Sequence, residues 1–121
     1  MEQINVNIQG QTVEVRYDYK ALKKIERENK SMFAVVKPTL ENTEKLVKYG
    51  IEYSGINATD EDIENAVADL INKDGVFKTI TNVVKHYIQT IHPDMKIDEN
   101  KELNEEGLAQ VNSLVSNMLG I

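Results

Sequence analysis

The stretch INVNIQGQTVEVRY, residues 4–17, decides the fold because apolar and polar residues alternate on both sides of a glycine. A period of two is typical of half-buried β-strands, and Gln9-Gly10-Gln11 supplies a turn between them. The stretch therefore predicts a β-hairpin. A two-stranded hairpin is marginal alone, so we expect its apolar face to be covered by helices from the rest of the chain.

About five helices are predicted after the hairpin, from capping residues and from apolar residues spaced by three and four positions. The fold class is therefore α+β, mainly helical. Asp18 can cap the first helix, and Thr59 begins the third with the form of a capping box. The fourth, ending at Ile91, has the widest apolar stripe, so we predict that it is the most buried helix and carries the hairpin. The five cover about residues 19–29, 39–55, 59–74, 76–91 and 104–121.

The chain has 121 residues, of which 40% are hydrophobic. This length and content predict one compact domain with a real core. Within it we distinguish a hairpin plus helical body (1–93), an acidic linker (94–103) and a C-terminal amphipathic helix (104–121).

Composition excludes several classes of protein. The chain has no cysteine, so neither a disulfide framework nor a thiolate zinc site is possible. A net charge of -6 argues against general affinity for nucleic acid. No stretch approaches the roughly 18 apolar residues of a membrane span. We therefore expect a soluble intracellular protein without a nucleic-acid or membrane partner.

Catalytic motifs are also missing from the sequence. It contains no glycine-rich phosphate loop and no His-Glu zinc motif, and its only two histidines, His86 and His92, do not share a helical face. We predict a protein that is not an enzyme and needs no cofactor or metal. An acidic group at residues 60–64 could be read as a metal site, but the helix dipole at a helix start explains it more simply.

Two surfaces are candidates for binding. The first helix has a basic face that could bind phosphates or an acidic partner, although we favour a solvated face, which is the common outcome of binary patterning. It consists of Lys20, Lys23, Lys24, Arg27 and Lys30.

The second candidate is GLAQVNSLVSNMLGI, residues 107–121, which has no charged side chain. Its helix can pack on its own domain, pair with another copy or dock in a partner's groove. Depletion of charge is typical of interface cores, so we hypothesise an intermolecular contact. The partner-binding residues are then Leu108, Val111, Leu114, Val115, Met118 and Leu119.

The opening INVNIQGQTVEVRYDYKALKKIERE, residues 4–28, resembles the start of the tail assembly chaperones of long-tailed phages, particularly those of Gram-positive hosts. The later helical segments TEKLVKYGIEYSG, TDEDIENAVADLI and VFKTITNVVKHYIQTI are similar in order to the small helical body of that family. The resemblance covers roughly residues 2–92 and is one of pattern and order. It has no assigned counterpart after Pro93.

The resemblance implies a non-enzymatic chaperone in the bacterial host cytoplasm that is absent from the mature virion. Its partners would be the tape measure protein, which it keeps soluble, and the tail-tube protein that assembles around it. Two alternatives stay open. One is a small acidic regulatory or decoy protein, for example a phage-encoded inhibitor that presents carboxylates to a nucleic-acid-binding site; the other is a structural subunit of the virion.

Overall fold

A computed structural model describes residues 3–92, which form a β-hairpin followed by four α-helices and one 3-10 turn. The elements are β1 (Asn5–Ile8), β2 (Gln11–Glu14), α1 (Tyr19–Asn29), α2 (Leu40–Ile51), the 3-10 turn (Glu52–Ser54), α3 (Asp60–Asp74) and α4 (Val76–Ile91). The mainly helical α+β prediction is therefore confirmed for this part of the chain. About five helices were expected, one more than it contains, and the fifth, at 104–121, lies outside the described residues.

The hairpin forms as the alternating pattern predicts. β1 and β2 pair antiparallel, with Val6 opposite Val13, and both of these side chains are buried. The two-residue loop places Gln9 at φ 53° and Gly10 at φ 80°. Two consecutive positive φ angles match the right-handed twist of a hairpin, and glycine adopts that conformation without a steric penalty.

The helices begin at the predicted caps. The Asp18 carboxylate accepts a hydrogen bond of 2.8 Å from the Ala21 amide at the start of α1. At α3 the predicted capping box is complete, because Thr59 and Asp62 each bond the other's backbone amide. Gly75, at φ 90°, separates α3 from α4. These local bonds satisfy amides that a helix start would otherwise leave unpaired.

α4 is the most buried helix of the described residues, as its wide stripe predicts. It packs against both α2 and α3, and the side chains of Val83, Val84 and Ile88 are almost completely buried. Its first two residues depart from the prediction, because Val76 is 36% and Phe77 42% exposed. They lie in the first turn, before the helix enters the core.

The prediction that the hairpin packs on α4 is only partly correct. β1 packs against α3, and β2 against α2. α4 instead contacts the residues just after β2. The His86 Nε2–H donates to the Val15 carbonyl over 2.9 Å, and the Tyr17 ring meets the Tyr87 ring edge-on with centroids 5.1 Å apart.

Two tyrosines lie inside the core. Tyr17 and Tyr87 are both buried, and burial raises the pKa of each phenol. Both therefore stay neutral and act as hydrogen-bond donors. The Tyr17 hydroxyl donates to the Leu46 carbonyl at 2.9 Å, and the Tyr87 hydroxyl donates to the Met32 carbonyl at 2.7 Å. Each bond ties a loop or strand end to a helix.

Candidate partner-binding surfaces

The apolar helix predicted to bind a partner lies outside the described residues, as does the acidic linker 94–103. Its six candidate side chains are Leu108, Val111, Leu114, Val115, Met118 and Leu119. The structure does describe the end of the helix that precedes this segment in the chain. α4 ends at Ile91, and the amide of His92 donates to the Ile88 carbonyl at 2.8 Å.

The five cations of the basic face of α1 differ in whether they form an ion pair. The Lys24 ammonium lies 2.7 Å from a carboxylate oxygen of Glu52, which raises the pKa of the lysine mainly through that hydrogen bond. Within residues 3–92 the other four cations have no ion-pair partner. These four, all exposed, are Lys20, Lys23, Arg27 and Lys30. They form a short cationic stripe on the surface.

The acidic group at the start of α3 serves the fold. Asp62 accepts hydrogen bonds from the Gln9 side chain at 3.0 Å and from the Thr59 amide at 2.9 Å. The first of these is the main reason that the pKa of Asp62 lies below its ordinary value. Asp60 pairs with Lys48 at 3.2 Å. The capping interpretation is therefore confirmed, and no group of three metal-binding side chains occurs among the described residues.

An acidic groove of about 610 Å³ runs between α1, α2 and α3. Six carboxylates and three ammonium groups line it: Glu28, Glu41, Glu44, Glu52, Asp60 and Glu64, with Lys24, Lys45 and Lys48. The Tyr49 hydroxyl donates to Glu28 at 2.9 Å and accepts from Asn29 at 3.1 Å. These two hydrogen bonds connect α2 to α1 in the wall of the groove. The excess of carboxylates favours a ligand that carries positive charge.

A cationic groove of about 350 Å³ lies between the start of β1, the end of α3 and one face of α4. Its charged and titratable residues are Lys73, Lys78, Lys85, His86 and a single carboxylate, Asp74. Leu70, Ile4 and Val83 add apolar wall.

Polar atoms in the wall of the cationic groove are buried without partners. The hydroxyl of Thr79 and the Nδ1 atom of His86 have no hydrogen bond. Lys85 is only 7% exposed and makes no ion pair with any residue between 3 and 92. Unpaired buried polar groups are uncommon because they lose hydration without a replacement.

Neither groove could be found from the sequence. Each groove brings together residues from at least three elements, and no residue spacing within one element records how these elements pack together. The only available signal was the alternation of lysine with apolar residues in α4, which also fits a solvated helix face.

No family model, curated protein or solved structure matches this chain. Among the described helices, none is long and apolar enough to cross a lipid bilayer.

Proposed function

We propose that this protein is a phage tail assembly chaperone that binds the tape measure protein and assists assembly of the tail tube around it. It acts in the cytoplasm of the bacterial host and is not retained in the mature virion. The observation that supports the proposal is the order of elements: a hairpin, an Asp18-capped helix and three further helices over residues 5–91. This is the order that the resemblance implies.

A chaperone of this kind needs an apolar surface that a partner segment can cover. The described body offers little, since its large apolar side chains are mostly in one core and only a few are exposed. We therefore place the contact on the C-terminal helix, through Leu108, Val111, Leu114, Val115, Met118 and Leu119. Six such side chains contribute roughly 1.5–3 kcal/mol each when fully buried. That total can exceed ordering costs of several kcal/mol on binding.

The charge distribution favours this proposal over a decoy for a nucleic-acid-binding site. Residues 3–92 contain twelve basic and thirteen acidic side chains, so the described body is nearly neutral. A nucleic-acid mimic needs a surface dominated by carboxylates, because the site that it blocks uses Lys and Arg to bind phosphates. In the acidic groove, Lys24 and Lys48 instead form ion pairs across elements.

Co-expression with a phage tape measure protein tests the proposal. We expect the full chain to keep that protein in the soluble fraction and to co-purify with it. The double variant Val111→Glu with Val115→Glu should lose both effects, because it places two charges in the apolar arc. The matched control is Asn112→Glu with Ser116→Glu, which adds the same charge at the same spacing on the polar face.

Circular dichroism on both double variants shows whether the helical body remains folded. Loss of capture by the Val111/Val115 variant alone supports the proposal. Equal behaviour of the two variants would exclude this helix as the contact, and a parent chain that neither solubilises nor binds the tape measure protein would exclude the function. Detection of the chain in purified virions would favour the structural subunit. Binding that collapses as salt rises would favour the decoy.

A further inference from the structure

The cationic groove holds positive charge that the described residues do not neutralise. Lys73, Lys78 and Lys85 line it together with His86, against the one carboxylate of Asp74. Lys85 contributes to this charge because most of its side chain is buried along α4 and it has no carboxylate partner among residues 3–92. A bound carboxylate would neutralise the excess positive charge of the groove.

The same wall contains polar atoms that have no hydrogen-bond partner among the described residues. The Thr79 hydroxyl is buried and unpaired, so it is free to donate to an oxygen. His86 uses Nε2–H on the Val15 carbonyl at 2.9 Å. Its Nδ1 therefore has no hydrogen-bond partner among the described residues. Ammonium groups and a hydroxyl donor in one groove are the chemistry that recognises carboxylates.

We propose that the cationic groove is a carboxylate-binding site and that its occupant is the acidic segment 94–106 of this same chain. This segment carries six carboxylates and two lysines, whereas the described body is nearly neutral. The site would seat the start of the C-terminal segment along α4.

Connectivity favours the chain's own segment over another protein. The α4 part of the groove, from Lys78 to Gln89, spans about 16 Å at the helical rise. The chain leaves α4 at His92, and the six residues from Pro93 to Asp98 reach about 20 Å when extended. Because these carboxylates are covalently linked to α4, their effective concentration near the groove is of the order of millimolar.

Zero-length carbodiimide crosslinking of the full chain tests the site, since it joins a carboxylate only to an amine in contact with it. We expect the monomer to contain amide crosslinks from Lys73, Lys78 or Lys85 to acids between residues 94 and 106. Lys20 and Lys23 of α1 are exposed, as Lys73 and Lys78 are, so they serve as internal references from which we expect no such crosslinks. High salt should reduce the groove crosslinks, because it screens the attraction.

Hydrogen exchange gives a second, independent measurement. The variant Lys73→Gln with Lys78→Gln should increase exchange across residues 94–106, whereas the control Lys20→Gln with Lys23→Gln should leave exchange unchanged. Groove crosslinks found only in a covalent dimer would overturn the proposal in favour of a second copy. Absence of groove crosslinks, or equal crosslinking of Lys20 and Lys23, would also overturn it. Neither measurement depends on binding of a tape measure protein.

Discussion

Gly50 lies where α2 meets the end of the hairpin, and replacing it with alanine should destabilise the protein even though alanine is the better helix former. A Cβ added at Gly50 would lie 2.3 Å from the Cγ1 atom of Val15 and 3.3 Å from the Tyr17 ring. Real carbon atoms do not approach so closely, so the strand end must move. Val15 is completely buried and β-branched, which leaves its side chain few alternative rotamers.

The surrounding bonds oppose that movement. The Arg16 amide donates to the Gly50 carbonyl at 2.7 Å, and the Tyr17 hydroxyl is held by the Leu46 carbonyl at 2.9 Å. Overpacking a well-filled core costs about 1–3 kcal/mol. The gain in helix propensity offsets up to about 1 kcal/mol of this. We expect Gly50→Ala to lower the free energy of unfolding by about 1–2 kcal/mol, and the melting temperature by roughly 5–15 °C.

A double-mutant cycle makes the test specific to this contact. Val15→Ala removes the clashing Cγ1 atom and alone should cost about 2–3 kcal/mol through the cavity that it leaves. In that background the added methyl group enters the vacated space, so Gly50→Ala should become stabilising. The assay is urea unfolding followed by far-UV circular dichroism on all four proteins. If Gly50→Ala stabilises the parent, or has the same effect in both backgrounds, the close approach of α2 to Val15 is wrong.

Two further predictions concern the core and a cap. Val83→Asp should unfold the body, since an unpaired buried charge costs several kcal/mol and the whole free energy of unfolding is only about 5–15 kcal/mol. The control Phe77→Asp, in the exposed first turn of α4, should leave the body folded. Circular dichroism measures both outcomes. Asp62 has a lowered pKa, so its carboxylate stabilises the fold above the ordinary value of 3.8, and this stabilisation is lost as pH falls below it. Asp62→Asn should therefore lower the free energy of unfolding at pH 7 and hardly change it near pH 2. The control Asp69→Asn, at an exposed position, should change it little at either pH. An equal decrease for Asp62→Asn at pH 7 and pH 2 would contradict the capping role of the Asp62 carboxylate.

The local structure could be predicted because the sequence signal for each element lies within a few neighbouring residues. Asp18 and the Thr59–Asp62 box bond amides only three positions away, and the alternation around Gly10 needs only the hairpin itself. Such signals survive in any tertiary context that keeps the element, which is why the ends of α1 and α4 were placed correctly.

The tertiary structure could not be predicted in the same way. Nothing in the pattern of residues 4–17 distinguishes a hairpin that packs on α3 and α2 from one that packs on α4. Tyr17 and Tyr87 have amphipathic side chains that fit the edge of a core as well as its interior. Their burial depends on the Leu46 and Met32 carbonyls, which become available only once the helices are assembled.

The division of apolar residues between body and C-terminal segment limits how a partner can bind. The described body places its large apolar side chains mostly in its own core and leaves two grooves of opposite charge on its surface. A partner held by either groove must bind through charge, so its affinity should fall as salt rises. A partner held by the apolar side chains of residues 104–121 should be almost insensitive to salt. The salt dependence of binding, compared between the parent and the Val111→Glu, Val115→Glu variant, therefore assigns a partner to the body or to the C-terminal segment.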